Sequence, residues 1–214
     1  MKNTESLISE LRSQTQVDHE ALEGLLPLMD PNLRPDVYVK LLKKFYGFYQ
    51  PLEARISAVS GWSELGFDLE RRKKAPLAAR DLRHLGHGDA VIALQTLCPE
   101  SMLPTVDTMA DAIGCLYVLE GSTLGGQVIS RHLNKILGID ENTGAAFFRS
   151  YGADVGPFWR EYLQMSESFG ANLAKRSIIT MAACNTFQKI RQWLTDEGAF
   201  APIAEPSFLD RQSS

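Results

Sequence analysis

Apolar residues recur every three to four positions along nearly the whole chain, the period of helices buried on one face. Over residues 4–29, Ile8, Thr15, His19, Leu22 and Leu26 fall on one such stripe. Pro31, Asn32 and Pro35 interrupt it, and Pro35-Asp36 reads as the first turn of a second helix running to about Val59. Tyr38, Leu41, Leu42, Phe45, Phe48, Tyr49 and Leu52 mark its inward face, and Pro51 is expected to kink or break it. Residues 60–75 read as a loop, followed by short helices at 76–84 and 88–97. A long helix is expected from Thr105 or Asp107. It carries Met109, Ile113, Leu116, Tyr117 and Glu120 into a glycine cluster and resumes with Val128, Ile129, His132, Leu133 and Ile136. Further helices are expected near 143–151, 157–170 and 172–196. No stretch alternates polar and apolar residues long enough for a strand, and neither a repeat nor a linker divides the chain. The pattern predicts an all-α, single-domain multi-helix bundle over residues 1–198. A loosely structured C-terminal tail, carrying Pro202 and Pro206, is expected over 199–214.

Composition narrows the partners. The 214 residues are 44% hydrophobic and 22% charged, enough for one buried core, and the formal net charge is -4. That balance speaks against a nucleic-acid partner, which calls for a basic face. No apolar run reaches about 18 residues, so no membrane span is expected. The polar N-terminus lacks the apolar stretch of a secretory signal. Cys98, Cys115 and Cys184 are odd in number and widely spaced, as befits free buried thiols, so a reducing, cytoplasmic location is expected.

Two features carry candidate chemistry. His19 lies on the first helix's stripe, seven residues after Arg12 on the same face, so their Cα atoms are roughly 10 Å apart along the axis. That separation suits an imidazole on a porphyrin iron with a guanidinium near the propionates, because Arg donates two parallel hydrogen bonds to a carboxylate. A hydrogen-bonded structural histidine is the ordinary alternative. The second feature is Glu120-Gly121-Ser122-Thr123-Leu124-Gly125-Gly126-Gln127. Each glycine costs a helix about 1 kcal/mol relative to alanine, so the cluster implies a bend or a close backbone approach. Gly121 and Gly125 share a face, against which a planar ligand or another helix could lie. No phosphate-loop signature follows them.

The stretch from Leu11 to Glu23, with Arg12 and Thr15 ahead of His19, resembles the proximal helix of heme oxygenases. The stretch from Leu116 to Ile129 resembles their distal helix, and the order and separation of the two also fit. The similarity spans about residues 5–197 and is closest to the bacterial branch often found beside bacteriophytochromes. It implies oxidative opening of heme b, at once substrate and cofactor, at a meso carbon. The products would be biliverdin, CO and iron, and the reaction would draw on O2 and an external electron donor, a reductase or ferredoxin. A bacteriophytochrome would receive the biliverdin. By the same resemblance His19 is the axial iron ligand, and Arg12 and the weaker match Arg160 meet propionates. Tyr117, Phe169 and Phe187 are candidate pocket residues, and Gly121, Ser122, Gly125 and Gly126 form the catalytic distal segment. Many family members carry Asp where this chain has Ser122, which puts the proton-delivery route in question. The run Arg71-Arg72-Lys73-Lys74 reads as an exposed loop that could dock an acidic reductase. A non-catalytic heme carrier or sensor and a thiaminase-like enzyme of similar architecture are the rival readings. A di-iron oxygenase would need Glu-x-x-His pairs, and this sequence has none.

Overall fold

Helix boundaries follow local chemistry closely. In a computed structural model, which describes residues 6–196, α1 (Leu7–Leu25) starts at Ser6, whose hydroxyl oxygen accepts the Ser9 N–H. It stops before Pro27, because the residue preceding a proline is driven to extended backbone; Leu26 has φ -90° and ψ 119°. Residues Pro27–Met29 make one 3-10 turn rather than the end of the long helix expected there. The second helix, α2 (Pro35–Ala58), runs on through Pro51 instead of breaking. The Gly47 carbonyl that Pro51 cannot serve accepts the Cys98 N–H at 2.8 Å, so the lost rung becomes a tertiary bond.

The remaining helices are α3 (Ala75–His84), α4 (Asp89–Ala93), α5 (Met109–Leu137), α6 (Ala146–Arg149), α7 (Val155–Phe169) and α8 (Leu173–Thr195). Among the described residues there is no strand. The helices expected at 88–97 and 143–151 shrink to α4 and α6, the second stopped at Ser150, whose φ is 49°. At the start of α5, Thr108 accepts the Asp111 N–H while the Asp111 carboxylate accepts the Thr108 N–H. At its end Gly138 adopts a left-handed φ of 69°. The glycine cluster does not interrupt this helix.

The central element is α5. It packs along α8 and is flanked by α6 and α7; α1 lies on α8 and α7, and α2 on α3 and α8. By length and composition α5 could cross a membrane, but most of its apolar window is buried inside the bundle, which accounts for that apolarity. Cys98 and Cys115 are buried free thiols, whereas Cys184 is only half-buried. The basic run is not the solvated loop expected. A single turn over Glu70–Arg72 leaves Arg71 outside and turns Arg72 and Lys74 into the core, 3% and 2% exposed. The tail expected over 199–214 lies outside the described residues.

Candidate functional site

A cavity of about 470 Å³ opens between α1 and α5, within the roughly 300–1,000 Å³ typical of small-ligand sites. From α1 it receives Arg12, Thr15 and His19; α6 supplies Phe147 and Phe148, α7 supplies Trp159, and α8 supplies Phe187 and Ile190. The His19 ring stands edge-on to Phe187, centroids 5.7 Å apart, and its Nδ1 lies 3.6 Å from Glu23 Oε2. Its side chain is 51% exposed, and among the described residues Nε2 has no hydrogen-bond partner. An imidazole on the cavity wall with one nitrogen beside a carboxylate and the other open has the form of a metal ligand. Arg12 is exposed at the same wall and makes no ion pair among the described residues. Tyr117 is buried between them; burial raises its hydroxyl pKa, against the lowering by its hydrogen bond with Thr15 and by the charge of Arg12.

Opposite α1, α5 presents bare backbone. A Cβ on Gly125 would meet nothing within 4 Å, and one on Gly121 only the Trp159 ring at 4.0 Å. Beside this strip the Ser122 hydroxyl donates to the Leu119 carbonyl at 2.8 Å. The Tyr49 hydroxyl, 3.2 Å away, is thereby left to donate to Ser122 Oγ. Burial keeps the Tyr49 pKa well above its ordinary value, so it remains a neutral donor at physiological pH.

Behind the strip sits a buried charge cluster. Glu120 is 1% exposed, and its two oxygens take Arg72 Nη1 at 2.5 Å and Lys74 Nζ at 2.8 Å. The Tyr151 hydroxyl donates to Glu120 at 2.6 Å and accepts from Lys74 at 2.9 Å, and Arg72 Nη2 reaches the half-exposed Glu161 at 2.8 Å. The cations are thus matched by carboxylates, without which their burial would be strongly unfavourable. Two further buried carboxylates fasten backbone. Glu53 accepts the Lys74 and Ala75 N–H groups at the start of α3. Asp81 accepts those of Ala146 and Phe147 at 2.9 and 2.7 Å, holding α6 and its two phenylalanines in the cavity wall. Burial pushes both carboxyl pKa values up, against the lowering by these N–H groups.

Comparison with known proteins decides what this arrangement belongs to. The heme oxygenase family model matches residues 5–196. The chain belongs to the heme oxygenase family. It is 25% identical over 194 residues to heme oxygenase PigA of Pseudomonas aeruginosa, covering 86% of this chain and 92% of that protein. The NO- and CO-bound heme oxygenase of Neisseria meningitidis superposes with a TM-score of 0.74 at 21% identity, over 88% of this chain and 90% of that one. Heme oxygenase-1 of the cyanobacterium Synechocystis, solved in complex with heme, superposes with a TM-score of 0.71 at 17% identity, over 91% and 93%.

In this heme oxygenase the cavity brings together Arg12, His19, Tyr117, Gly121, Ser122, Gly125 and Phe187 from the sequence expectations. It does not include Gly126, Arg160 or Phe169. Gly126 faces the other way, where a Cβ would collide with the Phe148 carbonyl, so its bareness serves the α5–α6 contact. Arg160 is exposed on α7. Phe169 instead carries the Lys175 ammonium 4.2 Å above its ring. Tyr49, Lys74 and Trp159 line the cavity of this heme oxygenase without having been singled out as site residues. A signal for Lys74 was present in Glu120, a carboxylate that ends the apolar run Leu116–Leu119 and needs a buried cation. Tyr49 and Trp159 carried no signal beyond their place on inward helix faces.

Proposed function

We propose that this protein oxidatively opens heme b at a meso carbon, using O2 and electrons from a reductase or ferredoxin, and releases biliverdin, CO and iron. The observation that carries the reading is the open space between the His19 imidazole and the bare backbone of Gly121 and Gly125. It is a slot with an imidazole on one wall and, at Gly121 and Gly125, bare backbone on the other. Heme supplies the iron that activates O2 and the porphyrin carbon that is oxidised. His19 would hold the iron through Nε2, with Nδ1 turned toward Glu23. Arg12 pairs with a propionate at the mouth. The glycine strip would let the macrocycle approach the α5 backbone closely. With Ser122 in place of a carboxylate, the lone pairs left on the Tyr49–Ser122 hydroxyl pair would accept from a water that supplies protons. Transfer of biliverdin to a bacteriophytochrome, in the cytoplasm, suits the branch that the distal motif resembles.

Mixing purified protein with hemin and either ascorbate or a reductase tests this directly. A bilin absorption band is expected, and His19→Ala should lose most of it while added imidazole restores part. A stable Soret band without bilin would instead identify a heme carrier.

A further inference from the structure

Gly121 and Gly125 bring no side chain of their own to the cavity side of α5, so the hydrogen bonds on its flanks bear directly on how this backbone is turned. Glu120 stands immediately before the strip and Gln127 just after it. Residues seven apart in a helix lie on the same flank, two turns along. Both are gripped by the end of α6 and the segment that joins it to α7. The Tyr151 hydroxyl donates to Glu120 Oε1 at 2.6 Å, Gln127 Nε2 donates to the Gly152 carbonyl at 2.7 Å, and the Arg149 guanidinium donates to Gln127 Oε1. Arg72 and Lys74 hold Glu120 from another side. The contact of Gly126 with Phe148 limits how closely α6 can approach, but it has no direction; the hydrogen bonds do.

We propose that Glu120 and Gln127 are positioning residues, a polar clamp that sets the rotation of α5 and so the distance between the Gly121–Gly125 backbone and bound heme. The proposal rests on the heme-binding reading of the cavity. The sensitivity is geometric: turning the helix by about 20° moves a Cα by about 0.8 Å on its 2.3 Å radius. The same turn moves Ser122 and Leu124, which already line the cavity, relative to the ligand. Neither clamp residue touches the cavity, so both act through the glycines.

The test compares Gln127→Met, Gln127→Glu and Glu120→Gln with the parent in two measurements. In ligand-free protein, amide hydrogen exchange at residues 121–126 should quicken roughly tenfold or more in Gln127→Met and Glu120→Gln, with residues 112–118 unchanged. In hemin-loaded protein, added imidazole should bind the iron several-fold more tightly, because the backbone no longer crowds it, and the bilin isomer ratio should shift. Gln127→Glu keeps the acceptor for Arg149 and should fall between Gln127→Met and the parent. Parental exchange at 121–126 with parental imidazole affinity would overturn the clamp. So would exchange that rises uniformly along α5, which would mark Glu120 and Gln127 as general stabilisers. Should Glu120→Gln fail to fold, the uncharged Gln127 site decides alone. Failure of the parent to bind hemin would sink the heme reading, while exchange in the ligand-free protein would still decide the clamp.

Discussion

Along α5, Gly114 and Gly126 meet backbone, whereas Gly121 and Gly125 meet open space. A Cβ at Gly114 would run into the Ile179 carbonyl and the Ala182 methyl of α8, and one at Gly126 into the Phe148 carbonyl of α6. These two are bare so that protein can approach protein. The other two are bare with nothing in front of them, in a helix where each glycine costs about 1 kcal/mol. A folded chain has no internal reason to keep such a stretch, so the reason lies in what enters the cavity. The same residue type in the same helix thus separates a packing requirement from a ligand requirement.

The largest expected effect breaks the first pair. Gly114→Ala and Gly126→Ala should each lose about 3 kcal/mol or more of ligand-free stability, because the obstructing atoms are backbone and cannot swing aside. Urea unfolding measures this, and a tolerated alanine at Gly126 would erase the distinction between the pairs. Gly125→Ala sharpens it. That variant should gain up to about 1 kcal/mol without ligand, since its methyl meets nothing, yet form less bilin. A stabler protein with undiminished turnover would show that the strip does not face the heme. The smallest effect is expected from Tyr49→Phe, which removes one hydrogen bond to Ser122 and about 1 kcal/mol of stability. Its bilin yield should fall by more than its stability, and equal yield would remove the hydroxyl pair from proton supply.

Much of this molecule was legible because its signals are local. Three-and-four spacing located the long helices, and the seven-residue step from Arg12 to His19 placed both on one cavity wall. Several failures are places where a distant residue changes what a local rule means. Pro51 breaks an isolated helix, but here Cys98 takes up the freed carbonyl. Four consecutive cations read as solvated, yet Glu120, 46 residues beyond Lys74, draws Arg72 and Lys74 inward. The resemblance groups Gly126 with Gly121 and Gly125, but the arrival of Phe148 gives it a different neighbour. Ser122 was visible as a departure from the family motif, whereas its partner Tyr49 became visible only once α2 was folded against α5.

The bond between Cys98 and Gly47 also changes how the long connection from α3 to α5 behaves as a polymer. Pinned near its middle, it closes as two shorter loops, and the ordering entropy of each is reckoned from its own length. The later loop is further moored, by Lys189 to the Ser101 carbonyl and by Arg55 to Glu100 and the Pro104 carbonyl. The earlier loop leaves Val91, Leu94 and Leu97 facing solvent, with Leu94 83% exposed. Thermal opening should therefore begin in the earlier loop and stop at Cys98, and a protease should nick the chain on that side of the pin first.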